Sequence, residues 1–253
     1  MTKMEHGDFS LLADNYAKYR PGYSTLVRDL VVGLLPVKAK AADVGAGTGI
    51  WSKMLADGGL SVTAVEPNEA MRKEGLALHP ELRWVDGSAE VTTLPDDAYD
   101  LASMASSFHW PDFDKAVKEF KRILKPGAYF LALWNTRDIA GFAVLEEIEA
   151  KIKELVPTLK RVSSGSSEFC DTLTKRLEST DYFKEVAYIE GFHIERQTPE
   201  RYLGLWKSVN DVRVQAGEEK FKAFLDFVVE KTKDSEFVSA KYKTRAWLAQ
   251  LRS

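Results

Sequence analysis

The stretch 41–55 constrains the fold more than any other part of this chain. It begins Ala-Ala-Asp-Val-Gly-Ala-Gly-Thr-Gly and continues with apolar residues at helical spacing, so a short strand, a glycine turn and a helix follow one another. Because glycine has no Cβ, a turn built on Gly45, Gly47 and Gly49 can bend sharply and approach a ligand closely. The first N–H groups of the helix point unpaired into the same space. In doubly wound sheets this succession of elements binds nucleotides.

The residues around the turn narrow the choice of nucleotide. The dinucleotide fingerprint is GxGxxG, whereas this turn reads GxGxG and has Ile50 where the fingerprint needs its last glycine. Asp43 precedes the turn, and Glu66 ends the next apolar run at the distance where a carboxylate accepts hydrogen bonds from ribose hydroxyls. The pattern therefore favours a nucleoside ligand and argues against a nicotinamide dehydrogenase.

Three motifs carry a family resemblance. Residues 43–49, Val-Glu-Pro-Asn at 65–68 and Leu-Lys-Pro-Gly at 124–127 resemble the class I S-adenosylmethionine-dependent methyltransferases. Residues 16–23 and Ser-Phe-His-Trp at 107–110 look like a small-molecule branch, methyltransferase type 11, that includes the trans-aconitate-type enzymes. The resemblance implies an α/β, Rossmann-like fold with a seven-stranded, mostly parallel sheet, helices on both faces and an inserted helical cover.

The resemblance also implies the cofactor and the residues that bind it. S-adenosyl-L-methionine would be the methyl donor and S-adenosyl-L-homocysteine the product. Asp86 would accept a hydrogen bond from the adenine amine, and the N–H of Ala89 or its neighbour would donate to a ring nitrogen. From the residues alone, a helix cap beginning at Ser88 fits this stretch as well. The implied cofactor-binding residues are Asp43, Gly45, Ala46, Gly47, Thr48, Gly49, Glu66, Pro67, Asp86, Ser88, Ala89 and Ala105.

His109 is the candidate catalytic residue. It follows the predicted strand 97–105, and ligands of open α/β sheets bind beyond the carboxyl ends of the strands. A histidine has a suitable pKa for removing a proton near neutral pH, which is one interpretation. The other is that His109 orients the site by hydrogen-bonding the backbone or the substrate. Both interpretations stay open at this point.

The acceptor pocket is predicted from aromatic and polar residues near the same sheet edge. Arg20, between aromatic residues and Pro21-Gly22, would pair with a carboxylate of cofactor or substrate. These residues favour a small, partly apolar acceptor with a carboxylate or hydroxyl, although burial in the core would explain most of the aromatics equally well. The predicted substrate-binding residues are Tyr16, Tyr19, Arg20, His109, Trp110, Asn135 and Trp206.

Apolar periodicity predicts the remaining organisation. We expect one methyltransferase domain over 1–253, with a cofactor-binding core at 24–135 and cover segments at 9–23, 136–181 and 198–233. Helices are predicted over 24–35, 68–78, 114–124, 142–155, 198–209 and 218–231, and strands over 60–66, 82–86, 97–105, 128–135, 186–194 and 237–242.

Composition limits the partners. The net charge is −3, without a dense Lys/Arg tract, which disfavours a nucleic-acid partner. One cysteine and four scattered histidines predict no disulfide and no metal site. No apolar run approaches the ~20 residues of a membrane-spanning helix, and the chain begins with polar residues, so we expect a cytoplasmic protein, monomeric or homodimeric.

The function predicted from these observations is in-line transfer of a methyl group from S-adenosylmethionine to a small molecule, at an oxygen or carboxylate. The alternatives are a non-catalytic S-adenosylmethionine-binding protein and a methyltransferase acting on a macromolecule.

Overall fold

The computed structural model describes residues 18–160, 165 and 167–252. Helices and strands alternate through the first half of the chain, as the sequence predicts, except that a loop and no helix joins the strands Arg83–Val85 and Tyr99–Ala105. The helices are α1 (Thr25–Gly33), α2 (Ile50–Asp57), α3 (Glu69–Leu78), α4 (Phe113–Ile123), α5 (Ala143–Leu155), α6 (Glu168–Glu178), α7 (Pro199–Lys207) and α8 (Asn210–Thr232). The strands are β1 (Lys40–Val44), β2 (Ser61–Val65), β3 (Arg83–Val85), β4 (Tyr99–Ala105), β5 (Leu124–Asp138), β6 (Phe183–Gln197) and β7 (Val238–Leu251). The structure predicted near 9–17 lies outside the described residues.

Seven strands form one sheet in the order β3-β2-β1-β4-β5-β7-β6. The first five are parallel, whereas β7 runs antiparallel to both of its neighbours, β5 and β6. Residues 41–44 of β1 are all buried, as expected for a parallel strand covered on both faces. The sequence-based fold prediction is confirmed, and the carboxyl ends of β1, β2, β4 and β5 meet at one sheet edge.

Helices cover both faces of the sheet. On one face α4 buries Phe120 against Phe130 of β5, with the two rings stacked 4.8 Å apart. On the other face Val27 of α1 and Trp51 of α2 pack in a second cluster with Leu131. The apolar spacing of each helix therefore matches the face on which it packs.

The helices α5, α7 and α8 have a hydrophobic core of their own. Ile148 and Ile152 of α5 pack with Trp206 of α7 and Phe224 of α8, and all four side chains are buried. This core forms a helical layer next to the extended ends of β5 and β7. Its existence agrees with the predicted cover, whose exact boundaries remain a prediction.

Several element predictions need correction. No helix begins at Ser88: its hydroxyl accepts from the N–H groups of Glu90 and Val91 at 3.3 and 3.2 Å, but the chain then runs as a loop to β4. Helix α6 was not predicted, although Cys170, Leu173 and Leu177 are its buried stripe. Helix α8 begins eight residues earlier than expected and bends at Gly217 (φ 72°, ψ 164°), where a glycine relieves the strain of a positive φ.

Membrane-spanning helices and metal-binding clusters are both absent from the part of the chain that the structure describes. Among these residues, no helix combines the length and the apolar character needed to cross a bilayer. Nor do three or more His, Cys, Asp or Glu side chains there come together in a group suited to a metal ion.

Candidate cofactor and acceptor site

A cavity of about 290 Å³ opens at the carboxyl ends of β1, β2 and β4. It combines backbone of the glycine turn, polar side chains and apolar walls. Its lining residues are Gly45, Gly47, Glu66, Pro67, Asn68, Met71, Ser88, Ala89, Glu90, Met104, Ala105, Ser106, Ser107, Trp110 and Pro111. The sheet topology thus brings seven of the twelve predicted cofactor residues together around one space.

The glycine turn needs its glycines for two reasons. Gly45 and Gly47 have φ angles of 66° and 59°, which other residues rarely adopt. A Cβ on Gly45 would lie 2.8 Å from the hydroxyl oxygen of Ser107, so the space beside the turn would close. Gly49 precedes α2 in the left-handed conformation (φ 87°) and makes no side-chain cap to that helix.

Glu66 places a nearly buried carboxylate on the cavity wall. One oxygen accepts from the N–H of Gly47 at 2.7 Å and the other from the N–H of Asn68 at 2.9 Å. Burial raises its pKa despite these two hydrogen bonds. Because each carboxylate oxygen has a second lone pair, the group can still accept from a ligand's hydroxyls while the backbone holds it in place.

Asp43 stands behind the turn rather than on the cavity wall. It is completely buried, and its two oxygens accept from the hydroxyls of Ser52 on α2 at 2.6 Å and Ser103 on β4 at 3.0 Å. Burial raises its pKa to about 7. The carboxyl group therefore connects β1, α2 and β4 and supports the turn from below.

Asp86 is exposed and pairs with Arg72 at 3.2 Å, and it is not among the cavity-lining residues. The same arginine donates to the carbonyl oxygen of Glu66 at 2.5 Å. Asp86 thus neighbours the wall through Arg72, while its predicted contact with adenine stays a prediction. Of the other predicted cofactor residues, Ala46, Thr48 and Gly49 also lie off the wall.

Several lining residues were not among the predicted site residues, although Asn68 and Ser107 lie within the motifs at 65–68 and 107–110. Asn68 caps α3 by accepting from the N–H of Met71 at 3.1 Å, and Met71 then faces the cavity. Ser106 and Ser107 follow the end of β4. The rule that ligands bind beyond strand ends could have identified these two serines.

His109 lies in an aromatic cluster beside the cavity. Its ring centre is 4.4 Å from that of Trp110 and 6.1 Å from that of Trp134, whose indole N–H donates to Nδ1 at 3.4 Å. The Nε2 atom is buried and has no hydrogen-bond partner among the described residues. Burial lowers the pKa of His109 to about 4, and the charge of Asp211 opposes this shift only in part.

Asn135 holds the segment that precedes α1 against the sheet. Its amide donates to the carbonyl of Gly22 at 2.7 Å and accepts from the hydroxyl of Thr244 at 2.6 Å. The N–H of Ser24 donates to the same hydroxyl at 2.9 Å. Asn135 is thus at the predicted strand end, with its side chain already bonded within the protein.

The other predicted acceptor residues lie farther into the helical layer. Tyr19 packs against Gly204, where a Cβ would come within 2.5 Å of the tyrosine ring, and Arg20 donates to the carbonyl of Ser208 at 3.0 Å. Trp206 is completely buried in that layer. Tyr16 lies outside the described residues. The predicted contacts of these residues with an acceptor remain predictions.

The layer around Trp206 also contains a charged pair. The guanidinium of Arg137 lies 4.1 Å from the centre of the Trp206 ring and forms an ion pair with Glu149 at 2.9 Å. The two charged side chains are only 11% and 14% exposed. This pair connects the extended end of β5 to α5.

Comparisons with known proteins agree with this fold. A methyltransferase-domain family model matches residues 42–132. An uncharacterized methyltransferase of Mycobacterium tuberculosis is 36% identical over 176 residues, which are 69% of this chain and 71% of the relative. A ubiquinone/menaquinone biosynthesis C-methyltransferase of Rhodopseudomonas palustris is 31% identical over 137 residues, about half of each chain (50% and 53%).

A solved structure from Anaeromyxobacter dehalogenans, assigned to the type II methyltransferases, superimposes with a TM-score of 0.69 at 24% identity. The match covers 92% of this chain and 98% of that one. The superposition supports the fold, and the mycobacterial relative supports the family. The chain belongs to the class I S-adenosylmethionine-dependent methyltransferases.

Proposed function

We propose that the cavity at the glycine turn binds S-adenosylmethionine and that the protein transfers its methyl group to a small-molecule acceptor. The observation that carries the proposal is Glu66, a nearly buried carboxylate on the cavity wall whose oxygens are fixed by two backbone N–H groups. Such a carboxylate suits the two hydroxyls of a ribose. A Cβ at Gly45 would lie 2.8 Å from the hydroxyl oxygen of Ser107, so a larger residue there would disturb the turn beside the cavity.

The remaining wall suits the rest of an adenosine. Met71, Met104 and Ala105 supply apolar surface, and the backbone beside Ser88 and Ala89 is close enough to the cavity to recognise a base edge. When bound, the sulfonium of this cofactor supplies an already activated methyl group. The protein then has to bind both molecules, align them and exclude water.

We further propose that the segments 9–23, 136–181 and 198–233 cover the site and select the acceptor, with 24–135 as the cofactor-binding core. The acceptor would be a small molecule methylated at an oxygen or carboxylate. The name of the Rhodopseudomonas relative, a ubiquinone/menaquinone biosynthesis enzyme, also points to a small molecule, although that enzyme methylates carbon. Carbon acceptors therefore belong in any substrate screen.

Calorimetry with S-adenosylmethionine tests the cofactor proposal. We expect Glu66→Gln to weaken binding about 10- to 100-fold, because hydrogen bonds to a charged group contribute about 1.5–3 kcal/mol. Glu69→Gln is the matched control, since Glu69 is exposed on α3 and pairs with Lys73. Equal affinity of the wild type and Glu66→Gln, with both folded, would refute the ribose contact.

Release of S-adenosylhomocysteine distinguishes an enzyme from a cofactor-binding protein. The purified protein would be screened against small acids, phenols, quinol-type carbon acceptors and bulk macromolecules. Turnover with a small acid or phenol supports the proposal. Cofactor binding without turnover on any pool would favour the non-catalytic alternative.

A further inference from the structure

The contact between Trp134 and His109 determines which nitrogen of the histidine carries the proton. An indole N–H can only donate, so Nδ1 of His109 is the acceptor in the 3.4 Å contact. A neutral imidazole has one proton on its two nitrogens. Because Nδ1 uses its lone pair for Trp134, the proton of neutral His109 is on Nε2.

The N–H at Nε2 is buried and has no acceptor among the residues that the structure describes. Leaving a buried donor unpaired is unfavourable, because the N–H has lost its hydrogen bond to water and gained none in return. Ser107, Trp110 and Pro111, on either side of His109 in the sequence, all line the cavity. His109 itself is not among the lining residues, so its N–H lies behind the wall that these neighbours form. An oxygen atom of a ligand that enters between them can supply the missing acceptor.

The surroundings of His109 oppose its protonation. The aromatic rings of Trp110, Trp134 and Phe169 are its neighbours, and burial among them lowers its pKa to about 4. Asp211 of α8 is the charged group that raises the pKa, by less than burial lowers it. At neutral pH the ring is uncharged, with one nitrogen accepting and the other protonated. Such a ring has no lone pair left to remove a proton.

We propose that His109 donates a hydrogen bond from Nε2 to an oxygen atom of the methyl acceptor, that Trp134 positions it for this role, and that the acceptor oxygen is already negatively charged when it binds. The proposal depends on the methyltransferase function proposed above. It selects the orienting role of His109 over the general-base role, and it restricts the acceptors to carboxylates and other ionised oxygen acids.

An acceptor of this class needs no base. Its oxygen forms the bond to the methyl carbon while the carbon–sulfur bond of the sulfonium breaks and the electron pair stays on sulfur. A carboxylate and a sulfonium thereby become a neutral ester and a neutral thioether, and no proton is transferred. Hydrogen bonds to ionised oxygens are about twice as strong as neutral ones, so the His109 donor favours the anionic form of the acceptor.

Nuclear magnetic resonance of the ¹⁵N-histidine-labelled full chain tests the tautomer without any acceptor. The four histidine signals are assigned with His109→Gln. We expect neutral His109 with its proton on Nε2 at pH 7 and no titration down to pH 5. A proton on Nδ1, or titration near pH 6.5, would overturn the proposal. This measurement needs only the wild-type protein and the assignment variant.

Trp134→Phe tests the positioning role by removing the indole N–H. We expect the proton of His109 to distribute over both nitrogens. The control is Trp247→Phe, because Trp247 lies in the same cluster, 5.7 Å from Trp134, and its indole donates instead to Thr174 at 3.0 Å. A tautomer that stays the same in Trp134→Phe, or that changes equally in the control, would contradict the assigned role.

Turnover variants test the donor directly, with an acceptor found by the screen above. Gln can donate an N–H but cannot act as a base, so we expect His109→Gln to retain activity within about tenfold of wild type and His109→Phe to lose a further tenfold. A general base would instead lose about 10²- to 10⁴-fold in both variants. Turnover confined to un-ionised alcohols or amines would also overturn the proposal. Absence of cofactor binding in calorimetry would refute the methyltransferase function itself, which is a different result.

Discussion

The completely buried Asp43 makes the stability of this protein depend on pH in a direction that can be calculated. Its pKa is raised from 3.8 to about 7 by burial. A carboxyl group with a raised pKa binds a proton in the folded state at pH values where the unfolded chain has released it. Its contribution to stability is therefore present at low pH and is lost as the pH rises through about 7.

The size of the effect follows from the two pKa values. Each unit of difference corresponds to about 1.4 kcal/mol, so a difference of about 3 units has a maximum effect of about 4 kcal/mol. Between pH 5 and pH 8 the same two values give a loss of roughly 2.5 kcal/mol in the free energy of unfolding. Asp43→Asn removes the ionisation but keeps an oxygen that can accept from Ser52 or Ser103.

Urea denaturation at pH 5 and pH 8 measures this effect. We compare the free energy of unfolding of Asp43→Asn with that of wild type at each pH. The difference, variant minus wild type, should be about 2.5 kcal/mol larger at pH 8 than at pH 5, because only the wild type loses stability through ionisation of Asp43. Asp57→Asn is the control, since it makes the same chemical change on an exposed side chain at the end of α2. Parallel pH dependences for wild type and Asp43→Asn would show that Asp43 is ionised in the folded protein and would refute the reasoning.

Three further outcomes are expected from the packing and the proposed ligand. Glu149→Gln leaves the buried charge of Arg137 without its counterion and should lower the free energy of unfolding by about 3 kcal/mol. Urea denaturation measures this, and an unchanged free energy of unfolding would contradict a stabilising ion pair. Gly75→Ala would place a Cβ 2.1 Å from the Trp84 ring and should lower the free energy of unfolding by about 1–3 kcal/mol. Gly33→Ala should instead raise it by up to about 1 kcal/mol, because no described residue beyond its own helix and chain neighbours would lie within 4 Å of the new Cβ. S-adenosylmethionine at 100 times its Kd should add about 2.7 kcal/mol to the stability of wild type, and a smaller shift would mean that the unfolded chain binds it as well.

The parts of the fold that could be predicted are those determined by local sequence patterns. The glycine turn, the apolar parallel strands and the amphipathic α4 each depend on neighbours within a few positions. Helix α6 escaped prediction because its buried stripe is short and follows a serine-rich stretch. Strand β7 was predicted over 237–242 only, because its later residues alternate weakly and are buried by two long partner strands.

The candidate site likewise contains residues that the local motif predicts and contacts between distant positions that it does not. Gly45 and Glu66 were predicted from the motif and do line the cavity. Asp43 belongs to the same motif, yet its carboxyl group lies beneath the turn, because the hydroxyl of Ser103, sixty positions away, binds it there. The protonation of His109 depends on Trp134 of a neighbouring strand. Such contacts between distant positions are set by the sheet order, which a single sequence does not display.

The place of β7 has a consequence for how the chain assembles on the ribosome. β7 is translated after both β5 and β6, but it pairs with each of them and separates them in the finished sheet. Until residues 238–251 emerge, the open border of β5 and the whole of β6 lack this partner, and unpaired borders of this kind invite association with other nascent chains. Closure of the sheet therefore waits until residues 238–251 have been translated, long after the glycine turn at 45–49.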